Sequence, residues 1–525
     1  RLFSVVAVTL TAPTESWSDN LASFGGQALL QTPGIAALFS GLSTQAIAPS
    51  LLFGLPRTLV PPPGNSSSIA ELVRRLGSED QPRQGPRLPT QGRFETILAL
   101  GTSPSPGDQL SWNAVLTGAR WDWESRCAQP ELGNPGNPAG TDVHATGIRC
   151  DGQLAYDLAL HGLKRAQAII PVSGSSPGWV VSTGGDNWDE PDPDSTGTVS
   201  AAMLETVAPF CDTPELGLIP GVPSPDDSVQ TTVNDIATAL GLPAPTITVA
   251  NEEELRPRIQ RERVTAKFGQ RDALWALRRA LGQARELIYI ESPTFARTAY
   301  PNGAPEAHEI DLVEVVRQRM ADNPRLKVVI CVPREPDFAP GKSNWVRAAL
   351  KHRKEAIEQL TAQDRNRVAA FHPIGFPGRS AVIRSTTVIV DDVWCSVGTS
   401  HFRRRGMTFD GGVDVVSLDR AMVNGYSNLI AQFRQTLMAA KLGVTVPSSP
   451  ATASALWIRL FQAESAFDAV ADLLQQGGLG RCSPVWEGPT DTSVIEQTVA
   501  IADPDGVDPD GSNLLNLFLP LLLDD

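Results

Sequence analysis

The chain is short of lysine and short of positive charge. Lysine supplies seven of the 44 basic residues, against 58 acidic ones, and the net charge is −14 over 525 residues. Phosphate backbones attract basic faces, so this balance excludes general nucleic-acid binding. Cysteine is sparse too. The six residues Cys127, Cys150, Cys211, Cys331, Cys395 and Cys482 show no CxxC spacing, which argues against a thiolate metal centre. No apolar run reaches the roughly 18 unbroken residues of a membrane helix. The apolar stretch 21–55 is interrupted by Gly25, Gly26, Pro33, Gly34, Gly41 and Pro49.

What is present suits a large globular protein. With 41% hydrophobic and 19% charged residues, the chain can bury a core spanning two or three domains. The arginine-for-lysine skew, with abundant Ala, Pro and Gly, is the composition expected of a GC-rich bacterial genome. The first residue is Arg1 rather than Met, as expected of a processed or partial chain. Its Leu2–Ala12 run could serve as a signal-peptide core, but its β-branched content favours a buried strand. Loops are expected at 61–67, 77–89, 130–141 and 184–197 from their Pro, Gly and polar content.

From about residue 266 the pattern becomes regular. Leu274, Leu277 and Leu281 predict a helix, and Leu287–Ile290 a strand that ends at Glu291-Ser292-Pro293. A second helix buries Ile310, Val313, Val316 and Met320, and strand Leu326–Val332 follows. A helix over Trp345–Leu360 leads to strands at Val368–Phe371, Thr387–Val390, Trp394–Val397 and Val413–Leu418. A last helix carries Leu429, Phe433 and Leu437 and stops near Gly443. Near-continuous Val/Ile runs between helical segments predict strands covered on both faces, hence an α/β layer structure.

Within this region, residues 384–391 read Arg-Ser-Thr-Thr-Val-Ile-Val-Asp, and Trp-Cys-Ser-Val-Gly-Thr-Ser-His follows at 394–401. The layout resembles the second signature of the phospholipase D superfamily, a His-x-Lys-x4-Asp run followed by a Gly-Ser-x-Asn loop. Leu-Ile-Tyr-Ile-Glu-Ser-Pro (287–293), Arg-Arg-Gly-Met-Thr-Phe-Asp (404–410) and the closing Ala-Lys-Leu-Gly (440–443) extend the likeness over residues 266–445. The resemblance implies an α/β, two-lobed sandwich of mixed sheets flanked by helices. It divides the chain into an N-terminal extension (1–90), a degenerate first lobe (91–265), a second lobe (266–445) and a C-terminal helix with an apolar tail (446–525).

The resemblance also implies a mechanism that this chain has disarmed. Enzymes of this type attack phosphorus with one histidine and protonate the leaving oxygen with its counterpart, while lysine and asparagine hold the developing charge. Here Asp391 keeps its place, but Arg384 replaces the histidine, Thr386 the lysine, His401 the asparagine, and Gly412 a glutamate. A guanidinium has no lone pair with which to attack. None of the histidines restores the signature. His352-Arg-Lys354 lies on a predicted helix with Gln359 where Asp is required, and His144, His161, His308 and His372 have no lysine two residues on. His401 could act as a base, or simply make ordinary loop hydrogen bonds. Upstream, strand Arg93–Gly101, Ala119-Arg-Trp-Asp122 and Asp142-Val-His144 through Leu158 resemble fragments of a first lobe without its catalytic run.

Arg384, Arg403, Arg404 and Arg405 are candidate phosphate ligands by bidentate bonds. The alternative is that they pair with Asp391, Asp392, Asp410 and Asp414 and fix the sheet edge. Asp503, Asp505, Asp508 and Asp510 have the spacing of a weak calcium site, but no Glu closes it at the expected distance, and an acidic turn is the simpler reading. Neither a metal nor a cofactor is expected. The apolar tail 514–523 is expected to pack on its own domain or dock on another subunit. The leading expectation is a phospholipase D-like pseudoenzyme, a binding or structural component of a larger assembly. The alternative is an active phosphodiesterase or phospholipase with a non-standard or partner-supplied histidine. A secreted binding module is the third reading, favoured if Cys127 and Cys150 form a disulfide; a cytoplasmic location is expected over a secreted one.

Overall fold

The structure, a computed structural model, describes residues 3–9, 96–102, 111–118, 142–169, 199–207, 230, 234, 270–299, 309–336, 343–373, 381–408 and 412–485. The expectations for Cys127, 119–122, His308, Asp410, the acidic run 503–510 and the tail 514–523 lie outside these residues.

Two sheets organise the described residues. The first has the order β1-β2-β3-β5 and is antiparallel throughout, with β1 (Phe3–Thr9), β2 (Thr96–Thr102), β3 (Ser111–Thr117) and β5 (Gly147–Asp151). Helix α1 (Gln153–Ile169) packs across it. Trp112, Ala114 and Leu116 alternate inward along β3 and meet Leu158 and Ala159 of the helix. The period of two is what a sheet with one covered face requires.

The second sheet is mixed and nine strands wide, in the order β17-β10-β9-β8-β12-β13-β14-β6-β7. Its centre is β8 (Leu287–Glu291), β9 (Lys327–Cys331), β10 (Val368–Pro373), β12 (Thr386–Val390), β13 (Trp394–Gly398) and β14 (Gly412–Asp419). These strands are buried on both faces. Ile288, Ile290, Val328, Ile330, Val388 and Val390 face helices α2 (Asp272–Gly282), α3 (Leu312–Asp322) and α4 (Ser343–Gln363). Leu287, Tyr289, Val329, Cys331 and Ile389 face the opposite way. There they meet α6 (Asn428–Lys441) and α8 (Ala463–Gln475), with α7 (Ala455–Arg459) packed beside them. The continuous Val/Ile runs follow from this double coverage. Between β13 and β14 the short helix α5 (Arg404–Thr408) packs Met407 into the first face.

The expected division at residue 266 is crossed by the sheet itself. Strand β6 (Val199–Val207) pairs antiparallel with β14 over its full length, and β7 (Gln270–Arg271) pairs with the end of β6. Val413 and Val415 of β14 enter the core of the first sheet, so one apolar cluster belongs to both lobes. His161 Nδ1 of α1 also meets Glu205 Oε1 of β6 across this junction. At the far edge β17 (Cys482–Pro484) pairs with β10. Cys150, Cys331, Cys395 and Cys482 are buried free thiols, packed as small core residues.

The turn between β12 and β13 is pinned by two aspartates in left-handed conformation, Asp391 (φ 53°) and Asp392 (φ 54°). Aspartate tolerates that region better than most residues, but it still costs energy. The side chains offset it. Asp391 accepts the backbone N–H groups of Arg285, Glu286 and Leu287 at 2.7, 2.8 and 3.0 Å. Asp392 takes both arms of Arg434, which is fully buried and also donates to the carbonyls of Leu460 and Phe461. Removing one partner of a buried pair leaves an uncompensated charge. Arg434→Met is therefore expected to lower unfolding free energy by about 3–5 kcal/mol in chemical denaturation. A loss under 1 kcal/mol would show that the pair is not a fastening.

His372 on β10 sets an acid limit. Burial is the main cause that depresses its imidazole from 6.5 to about 4, although Nδ1 lies 3.0 Å from the Val332 carbonyl. Between pH 6.5 and 4 the unfolded chain binds a proton that the folded chain does not. Stability from this residue is therefore complete above pH 6.5 and falls as pH drops through that window. Thermal unfolding followed across pH 4–6.5 should be less pH-dependent in His372→Gln than in the parent protein; equal slopes would exclude the effect.

Candidate functional site between the lobes

The site is built where two short strands run side by side. Strand β4 (Asp142–His144) pairs in parallel with β11 (Ala381–Ile383), and the Arg384 N–H donates to the His144 carbonyl at 2.9 Å. Each short strand then leads into a longer one, β5 after His144 and β12 after Arg384. The residues that follow have the same spacing. His144-x-Thr146-x4-Asp151 stands opposite Arg384-x-Thr386-x4-Asp391. The two segments therefore share one spacing, and the structure sets them side by side. Sequence reasoning passed over it because lysine is missing at Thr146. The usable signal was the shared pattern, a threonine two residues on and an aspartate seven residues on in both lobes.

Both threonines are committed to hydrogen bonds. Thr146 donates to Glu291 Oε1 at 2.6 Å, across the lobe boundary. Glu291 is fully buried at the end of β8, and its Oε2 accepts Tyr289 Oη at 2.9 Å and lies 3.2 Å from Lys441 Nζ. Thr386 Oγ1 lies 3.0 Å from Ser292 Oγ and 3.1 Å from His401 Nδ1, and Ser292 Oγ accepts the Phe402 N–H at 3.1 Å. The lysine positions of both frames are thus occupied by neutral hydroxyls within closed networks.

Electrostatics follow from burial. His144 is 6% exposed, and its proton affinity is held well below the usual 6.5 by desolvation first and the Lys441 charge second. It is neutral at physiological pH, and its buried Nε2 has no hydrogen-bond partner among the described residues. Tyr289 is pushed well above 10 by burial, then by Glu291, so it stays a donor.

The expected site residues divide into two groups. Arg384, Thr386 and His401 are buried at the inter-lobe seam. Asp391 lies at the other end of β12 and fastens the backbone at 285–287; its partners are amides, not arginines. Asp392 is taken by Arg434. Arg404 pairs with Glu309 at 3.2 Å, and Arg405 is buried in α5. The Arg403 N–H donates to the His401 carbonyl at 2.7 Å, which shapes the loop that presents the imidazole. Gly412, at the glutamate position, brings β14 against Ser400, and a Cβ there would contact the Ser400 side chain. Residues that sequence reasoning had taken only as strand and helix ends, Glu291 and Lys441, are central to the network.

No described group of His, Cys, Asp and Glu side chains could hold a metal ion. Among the described residues, no helix is long and apolar enough to cross a membrane.

The described fold is mixed α/β, with a nine-stranded mixed sheet covered by helices on both faces and a four-stranded antiparallel sheet beside it. No family profile and no curated protein matches the chain. Among solved structures, Nuc of Salmonella typhimurium, a phospholipase D family member, matches at 15% identity and a TM-score of 0.21, covering 31% of this chain and 82% of that one. NucT from Helicobacter pylori matches at 16% and 0.19, covering 29% and 79%. Phosphatidylserine synthase of Haemophilus influenzae matches at 12% and 0.24, covering 44% of this chain and 55% of that one.

Close approach at the seam depends on Gly118, whose N–H donates to Ser385 Oγ at 3.1 Å. A Cβ at Gly118 would land on the Arg384 carbonyl oxygen. Overpacking of this kind against backbone costs about 1–3 kcal/mol. Gly118→Ala should therefore lower the melting temperature and expose the amides of β4 and β11 to hydrogen exchange. Unchanged exchange at Ile383 and Arg384 would contradict the seam geometry.

Proposed function

We propose that this chain is a phospholipase D-like pseudoenzyme, one that keeps the inter-lobe pocket as a binding site for a phosphate-class oxyanion and has lost two-histidine hydrolysis. The observation that carries the reading is the pairing of the two frames. One carries His144 and the other Arg384, whose backbone N–H donates to the His144 carbonyl where the two short strands run in parallel. Hydrolysis through a covalent intermediate needs one group to attack phosphorus and another to exchange a proton with the leaving oxygen and then with water. Arginine serves neither purpose, whereas it binds oxyanions in bidentate geometry. The threonines at both lysine positions remove two further cations, and their hydroxyls are engaged. A role inside a larger assembly is part of the same proposal, with the apolar tail 514–523 as the segment to remove first.

One observation favours a rival reading, a phosphodiesterase driven by a single histidine. His144 is neutral and its Nε2 is unpartnered among the described residues, as an attacking imidazole requires. Steady-state assays with bis(p-nitrophenyl) phosphate and phosphatidylcholine separate the two. The pseudoenzyme should show no turnover above buffer. Multiple turnovers abolished by His144→Ala or His401→Ala would sink it.

A further inference from the structure

Strand β6 leaves one edge of the large sheet open. It pairs with β14 from Val199 to Thr206, but on its other side β7 reaches only Thr206 and Val207. Among the described residues, 199–205 therefore have no strand partner on that side. Alternate residues of such a strand point their N–H and C=O groups outward, a template for another strand. Folded proteins blunt open edges by keeping them short or by placing lysine or proline there. The opposite edge of this sheet obeys that rule, since β17 is three residues long and ends at Pro484. β6 does not. It runs for nine residues, and 199–204 read Val-Ser-Ala-Ala-Met-Leu, without charge or proline. Its inner end is fastened: Met203 packs on the first sheet's core, Leu204 on the face covered by α2, α3 and α4, and Glu205 meets His161. Val199, Ser200, Ala201 and Ala202 are exposed. So are Leu418, opposite Ser200 on β14, and Met422 and Val423 a few residues on.

We propose that β6 pairs antiparallel with β6 of a second copy of this chain, joining two nine-stranded sheets into one across a twofold axis. The inference is independent of the pocket and its ligand, and it names a surface other than the tail 514–523. Charge selects the occupant. Each copy carries a net charge of −14, so two copies repel one another except where an uncharged strip can meet its equal. Residues 199–204 are such a strip. With the axis at Ala202, Ser200 faces Leu204, Ala201 faces Met203, and no two like charges stand opposite. The nearest carboxylate, Glu205, faces Val199 and is already engaged by His161. The small side chains of Ser200, Ala201 and Ala202 let a second backbone approach closely. β7 stops the pairing beyond Glu205 and so limits the register. A twofold uses up the open edge of both copies, which ends assembly at the dimer instead of a fibre.

Sedimentation velocity of the full chain over a concentration series tests the proposal. The parent should pass from monomer to dimer and no further. Ala202→Lys and Ala202→Glu, each at an exposed position, set like charges against each other across the axis and should each weaken dimerisation at least about tenfold. An equimolar mixture of the two variants should restore the dimer, because the opposed charges then attract. Hydrogen exchange of the parent should show the amides of 199–205 protected at high concentration and open on dilution. A parent that stays monomeric at every concentration overturns the proposal. So does a dimer that both variants leave intact, or one that is lost when residues 514–525 are removed. If the variants fail to fold, the exchange pattern of the parent decides: concentration-independent exchange at 199–205 rules the edge out.

Discussion

A carboxylate with no exposure to water holds the two lobes of this protein together. Glu291 ends a central strand of the large sheet and meets a hydroxyl from the first lobe, a phenol from its own strand and an ammonium from the helix that closes the second lobe. Burying such a charge is expensive unless every lone pair is answered. The partners therefore have to arrive together: the link between β4 and β5 must carry Thr146 to the seam and α6 must end with Lys441 at the same depth. The parallel pairing of β4 with β11 fixes this alignment, because it sets how far each frame advances before its strand turns away.

That constraint holds the two matching segments, 144–151 and 384–391, in fixed relation to each other. The two threonines sit in hydrogen-bonded surroundings, and His144 and Arg384 are buried. Thr386 bridges Ser292 and His401, so a lysine there would have to displace a neutral network as well as find an anion. Thr146 has the same relation to Glu291. Threonine thus has the same kind of role, a neutral hydroxyl in a buried network, in both segments.

The second lobe was legible in the sequence for a physical reason. Its strands are covered on both faces, so they appear as near-continuous apolar runs at 287–290, 326–332 and 387–390, and each lies within a residue or two of the observed strand. The first lobe was not. Strand β5 is exposed at Gly147, Arg149 and Asp151, so its composition gives no apolar run, and β6 owes its place to pairing with β14 rather than to its own pattern. Arg384, Thr386 and His401 stand out in the sequence because they depart from the His-x-Lys-x4-Asp and Gly-Ser-x-Asn spacing around them. His144 was set aside because only lysine was sought two residues on, and Lys441 and Glu291 were hidden because contacts between distant segments leave no local periodicity.

Asp391 has a consequence for how such chains are classified. Its carboxylate ties down three consecutive amides of a neighbouring segment, a duty owed to the shape of the sheet and independent of any reaction. The aspartate is therefore required by the fold whether or not a chain turns over substrate. In a lineage of this kind, persistence of that letter testifies to architecture, and hydrolytic competence has to be judged from the positions that touch phosphorus.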